Sequence, residues 1–346
     1  MNTTVSTLQR DGDDATTPSP TSARRLRIPA ADTLPVPALL VLILIALVML
    51  VANRDFLSAN NLVTIAQQAA VPAVVAVGLT FVVLMGGIDL SVEGVMAAVS
   101  LAVALLVAND RNNLSLGLWV IPVALLIGAA LGAVAGTSVA LLRVPSFIVT
   151  IGTWQIGLGI AQLLFGGGPP RVRDEQFRSL IVGNAILGIP GMVWIAVAAV
   201  VLGLLVQHFT RFGRYAYVIG DNQEVAELTG VNVRRYRAAS FVVAGALSGL
   251  AAVLATGRVG VGDVTIGSGL LFTTIAGVVI GGTFLTGGRG GVLHSVVGVV
   301  VMVAISNAMV LGGVSSYIQQ AVQGIVVVGA ATVTLWRARA RLRVIK

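Results

Sequence analysis

The chain has 346 residues, of which 56% are apolar and only 10% charged, and its mean hydropathy is +0.96. A water-soluble domain carries about 25% charged residues, so a cytosolic enzyme, a nucleic-acid-binding domain and a disordered chain are excluded. The composition predicts an all-α polytopic membrane protein of about ten spans.

Residues 1–34 are polar and rich in Thr, Ser, Pro and Asp, and read as a disordered cytoplasmic tail. The apolar run 36–52 has no small-x-small cleavage site before Asn53-Arg54-Asp55, so it reads as a retained first span and not as a signal peptide. Nine further apolar segments follow, over about 62–85, 92–108, 119–142, 146–165, 190–208, 239–256, 270–287, 292–311 and 317–336. The membrane-spanning bundle is thus expected over 35–337, with 338–346 a basic cytoplasmic tail. With the N-terminus inside, the only basic residues outside are Arg54, Arg111, Arg171, Arg173, Arg178 and Arg258; all others of the 22 fall inside. That bias predicts both termini on the cytoplasmic face. The pI near 11 is read as this topological signal and not as nucleic-acid binding.

Residue counts remove several chemistries. There is no Cys, and the two His, His208 and His294, are far apart, so no metal site is expected. The only Lys is Lys346, so no Gly-Lys-Ser/Thr phosphate loop exists and no ATP site of that type is expected on this chain. No nucleophile–base set stands out, which leaves no catalytic residues to name.

Gly128, Gly132 and Gly136 recur every four residues and read as helix packing, with Gly245 and Gly249 the same in another span. Gly86-Gly87-Ile88-Asp89-Leu90-Ser91-Val92-Glu93 places two acids between apolar stretches. Asp89 or Ser91 either caps the next helix or marks a functional bend, because ionisable groups at membrane depth are costly. Gln67, Gln68, Trp154, Gln155, Asn307, Gln319 and Gln320 are polar groups within apolar spans. They serve interhelical bonding or line a hydrated path, and with almost no charge nearby such a path suits a neutral polar cargo. Gln67, Gln68, Asp89, Ser91, Trp154, Gln155 and Asn307 are the candidate path residues. The loop 210–237 is the longest strongly charged one on the inside. Within it Asp221–Leu228 reads as a short helix with Asn222 as its cap and Gly230 as its stop; it is either a docking element or a solvated connector. Thr80–Ser91 and Ala276–Gly288 both run from β-branched residues into Gly-Gly. If spans 2–5 matched 7–10, the repeat would be inverted.

Four stretches, GGIDLSVEGV, VPSFIVTIGTWQIGLGIA, FGRYAYVIGDNQEVAELTGVNVRRYR and VVIGGTFLTGGRGGVLHSVVG, occur in this order. In that order they resemble the permease subunits of bacterial ABC importers for monosaccharides, the ribose, xylose, galactose and autoinducer-2 type. The resemblance covers about residues 58–336. It implies a ten-helix (type II) fold like that of the vitamin B12 importer, in the bacterial inner membrane. It also implies a second permease copy or paralogue, two ATPase subunits that hold ATP and Mg, and an extracytoplasmic solute-binding protein. No cofactor would bind this chain. The coupling segment would lie near Gly220–Val231. There Asn222, Glu224, Ala226, Gly230 and Val231 match the family pattern, and Glu227 and Leu228 belong to the same turn. The chain departs from the pattern at Glu93, where Gly is usual, at Leu270-Leu271-Phe272-Thr273, where acids are frequent, and near His294, where Gly is usual. The leading expectation is an importer permease for a sugar-like neutral solute. The rivals are an ion-coupled secondary transporter and an intramembrane enzyme.

Overall fold

The computed structural model describes residues 34–342. The expected N-terminal tail, apart from Leu34, and residues 343–346 of the basic C-terminal tail lie outside them. In chain order the helices are α1 (Val36–Ala52), α2 (Ala59–Leu84), α3 (Val92–Leu106), α4 (Val120–Leu142), α5 (Ser146–Phe165), α6 (Glu175–Val182) and α7 (Gly191–Phe209). They continue with α8 (Arg211–Asp221), α9 (Gln223–Leu228), α10 (Val233–Val259), α11 (Leu270–Ile280), α12 (Val292–Leu311) and α13 (Ser316–Leu342). A two-stranded hairpin, β1 (Asn184–Ile186) with β2 (Ile189–Pro190), sits between α6 and α7.

Each of the ten apolar segments read from the sequence carries a helix. Among the described residues, α2, α5, α7, α10, α12 and the stretch Gly117–Leu142 are long and apolar enough to cross a membrane. The apolar helices α1, α3 and α11 are shorter. The expected segment 270–287 stops as a helix at Ile280. Its next two residues are Gly281 and Gly282, and Gly282 takes φ +101, a conformation that ends a helix and that side chains disfavour. The sequence reading did not foresee α6, the hairpin or the full length of α8.

The buried centre is α2, enclosed from Ala69 to Leu84 by α7, α10, α11 and α12. Where the surroundings are lipid, helices gain no hydrophobic force by associating and must gain by packing. Glycine provides that contact. A Cβ on Gly128 would strike the Gly245 carbonyl oxygen, one on Gly132 that of Phe241, and one on Gly136 that of Ala238. From the other side, Gly245 meets the Gly128 carbonyl and Gly249 that of Ala124. The α4 and α10 backbones therefore touch along four turns. The same device joins α3 to α5 through Gly94 and Gly157, and α11 to α12 through Gly277 and Gly298.

The packing also repeats. α10 lies on α4 as α12 lies on α2; α3 lies on α5 as α11 lies on α13; α2 meets α11 as α10 meets α3. The correspondence pairs α2 with α10, α3 with α11, α4 with α12 and α5 with α13. The two Gly-Gly sites noted in the sequence follow α2 and α11, which are not partners in it. The turn after α2 is matched instead by the turn after α10. Asp89 accepts from the Ser91 amide (2.8 Å) and hydroxyl (2.6 Å), and Asp263 accepts from the Thr265 amide (2.8 Å) and hydroxyl (2.6 Å).

Gly132→Val forces α4 and α10 apart, an overpacking that costs about 1–3 kcal/mol. The thermal midpoint of the purified protein should fall, whereas Gly324→Val, with open space around its Cβ, should leave it unchanged. Fluorimetric melting in detergent checks both.

Candidate functional site

At one end of the bundle the chain builds a compact pair of short helices, α8 and α9. Thr210 caps α8 by accepting from the Gly213 amide (3.2 Å), and Asn222 breaks the helix at φ −155. The Asn222 side chain then caps α9, accepting from the Val225 amide (3.1 Å), and Gly230 stops it at φ +81. Only Ala226 of α9 is buried, among Leu84, Met85, Ala216, Tyr217, Ile219 and Val233. Asn222, Glu224, Glu227, Leu228 and Gly230 are exposed and Val231 is half-buried. Leu228 is 87% exposed and Val225 45% exposed, beside the carboxylates of Glu224 and Glu227.

This element is fixed to the bundle. Gly220, at the end of α8, leaves no room for a Cβ between the Leu84 carbonyl and the Gly288 amide, and that amide donates to the Leu84 carbonyl (2.9 Å). The Tyr217 hydroxyl donates to the Gly290 carbonyl (2.7 Å), and burial pushes its pKa up to about 12, so it stays a donor at neutral pH. Gln207 of α7 accepts from the Val292 amide (2.6 Å). Thr283 accepts from the Gly291 amide (3.1 Å) and lies 3.0 Å from the Ser295 hydroxyl, to which Thr80 of α2 donates (2.7 Å). The α11–α12 loop is thus tied to α2, α7 and α8 at once.

The second feature lies deeper. At 1.5 Å per residue α3 is about 22 Å long and α11 about 16 Å, against a hydrocarbon core of about 30 Å. Their N-termini meet. Glu93, in the first turn of α3, accepts from the Leu271 amide in the first turn of α11 (3.3 Å), and Gly267 packs against Met96. Glu93 is 8% exposed. A carboxylate here answers the positive ends of two helices together. The Gly269 N-cap of α11 offers no side-chain acceptor, and Glu93 of α3 supplies one from the side.

The candidate path residues do not form one cluster. Asn307 is locked to Asn61 by two reciprocal bonds (2.9 and 3.0 Å), joining the end of α12 to the start of α2. Asp89 and Ser91 close their own turn near the other end. Gln67 and Gln68 are half-buried on α2. The Trp154 backbone abuts Gly94, and its indole nitrogen has no partner among the described residues. Gln155 is exposed on α5, in one stripe with Gly152, Gly159 and Gln162. A Cβ on Gly152 or Gly159 would meet nothing. The sequence reading missed Asn61, Gln162 and the Glu93–α11 contact. The 3-4-3 spacing of 152, 155, 159 and 162 was a readable signal for the stripe. The other two needed distant parts of the chain brought together.

A family profile described as branched-chain amino acid transport system / permease component matches residues 61–331. The chain belongs to this permease family. It is 36% identical to the ribose import permease protein RbsC of Haemophilus influenzae over 293 residues, 84% of this chain and 89% of the relative. To RbsC of Escherichia coli K12 it is 35% identical over 298 residues, 84% of this chain and 92% of that one. To the L-arabinose transport system permease protein AraH of E. coli it is 30% identical over 295 residues, 83% and 86% respectively. No solved structure matches significantly. The family agrees with the resemblance carried by the four motifs, and the chain is a transport permease component of the membrane.

Glu93→Ala leaves two helix N-termini facing each other with no acceptor, a loss like that of an N-cap, about 0.5–2 kcal/mol. Glu93→Gln keeps an acceptor oxygen for the Leu271 amide. Melting of the two variants should rank wild type above Gln above Ala.

Proposed function

We propose that this chain is the membrane-spanning permease subunit of an ATP-binding cassette importer that moves a monosaccharide or similar neutral solute into the cytoplasm. The observation that carries the reading is the 35–36% identity to ribose import permeases over 84% of the chain. ATP and Mg belong to separate ATPase subunits, since this chain has no Gly-Lys-Ser/Thr loop. A solute-binding protein delivers cargo from the opposite side.

In this reading ten helices span the bilayer in a type II arrangement with both termini cytoplasmic. Spans 2–5 and 7–10 form an inverted repeat. The reciprocal packing of α2–α5 and α10–α13 and the paired Asp89 and Asp263 turns support it. Two half-helices, α3 and α11, start near the membrane midplane, an arrangement used where polar groups must be met at depth.

α9 is the coupling element. The exposed Val225 and Leu228 seat in a groove on the ATPase, and Glu224 and Glu227 set its register by charge. Movement of α9 passes through Gly220 and Ala226 to the end of α2 and the α11–α12 loop, which hold the bundle on that side. The exposed Gly152, Gln155, Gly159 and Gln162 stripe of α5 faces the second permease copy. A polar cargo passing between two copies would find amide groups and no fixed charge there, so it is held weakly enough to leave.

The test is ATP-dependent uptake of labelled pentoses, hexoses and polyols into membrane vesicles containing this chain, its ATPase and its binding protein. Uptake should need all three components. Uptake by this chain alone under an ion gradient would replace the reading with a secondary transporter. Glu224→Arg and Leu228→Asp should leave the chain inserted at normal level and reduce uptake about tenfold or more. Co-purification with the ATPase should weaken in parallel.

A further inference from the structure

Four helix termini and α9 line an open cleft of about 670 Å³, most of whose lining the transport reading does not use. Small-molecule sites fall in the range of about 300–1,000 Å³. It lies where α2 and α4 end and where α5 and α10 begin, with Gln223 and Glu227 of α9 on its rim. Three guanidinium groups line it, those of Arg143, Arg234 and Arg237, against one carboxylate, that of Glu227. Arg237 donates weakly to the Met85 carbonyl (3.4 Å), and its Nε has no partner among the described residues. No ion pair among the described residues engages Arg143 or Arg234.

Arg143 ends α4 at φ +56, in the left-handed region. Side chains enter that region at a cost, and glycine is the usual residue at such a helix end. Gly166 ends α5 in the same way at φ +54. The N-termini of α5 and α10 also turn their positive ends to this region.

We propose that this cavity binds a phosphate group, either the headgroup of an anionic phospholipid or a free phosphate anion, clamped by Arg143, Arg234 and Arg237. Guanidinium forks match phosphate oxygens in pairs, which a single carboxylate on the rim does not satisfy. The cavity lies at an end of the bundle, the level at which headgroups meet basic pockets between helices. Bound phosphate ties the α4–α5 turn to the first turn of α10 and steadies the base on which α9 rests.

The experiment uses the purified full-length chain. One arm compares melting in phosphatidylcholine nanodiscs with and without phosphatidylglycerol. The other titrates inorganic phosphate in detergent at constant ionic strength. A saturable rise in midpoint is expected in at least one arm. A rise with phosphatidylglycerol alone assigns the lipid as source, and a rise with inorganic phosphate assigns a free anion. Arg143→Gly relieves the backbone strain, so it should melt at or above wild type without the probe, yet bind the probe about tenfold more weakly or not at all. Arg234→Gln should lose the response likewise, and Arg54→Gln, at the opposite end, should keep it. No saturable response in either arm, or an undiminished response in Arg143→Gly and Arg234→Gln, would overturn the proposal.

Discussion

The close approach of helix backbones at glycine is the constraint on which the rest depends. In lipid an apolar side chain is as content against a hydrocarbon tail as against another helix. What distinguishes the packed state is the dispersion gained when surfaces meet without a gap. Gly128, Gly132, Gly245 and Gly249 let α4 and α10 touch main chain to main chain, and Gly94 with Gly157 and Gly277 with Gly298 do the same for the two short helices. Beside these pairs α2 runs through the centre, buried from Ala69 to Leu84.

That framework gives the two ends different tasks. One end is held by a network through Leu84, Gly220, Tyr217, Gln207 and the α11–α12 loop, in which several elements share each bond. In the proposed reading a push on α9 would reach α2, α7 and α12 through these bonds. The opposite end is tied by bonds of its own between distant segments, such as the Asn61–Asn307 pair and the Val172 amide on the Gly260 carbonyl. Between them Glu93 accepts from the Leu271 amide and so joins the starts of α3 and α11. An importer permease of the proposed kind needs this combination: stiff coupling at one end, and a centre where two half-helices can separate.

Much of this was legible in the chain itself. The ten apolar segments coincide with helices because hydropathy is a local property, read within about 20 residues. The α9 cap and stop were legible for the same reason, since Asn222 and Gly230 act within three or four residues of themselves. The candidate path was less legible. Amides in apolar spans look alike in sequence, whether they pair across helices as Asn307 does or stand exposed as Gln155 does. The Gly-Gly comparison of the two halves linked sites that packing does not pair, because glycine after a β-branched run is common in any tight bundle.

The sequence by itself determined the class: too little charge for water and too much apolar length for one or two spans. It also determined the local caps, stops and glycine ridges, whose physics lies within a turn or two of helix. Only the tertiary structure decided which ridge meets which, and that Glu93 caps a helix beginning 177 residues later at Leu270. It likewise decided that Arg143, Arg234 and Arg237 face one cavity. These are relations between distant segments, fixed by the steric fit of whole helices, and no local pattern encodes them.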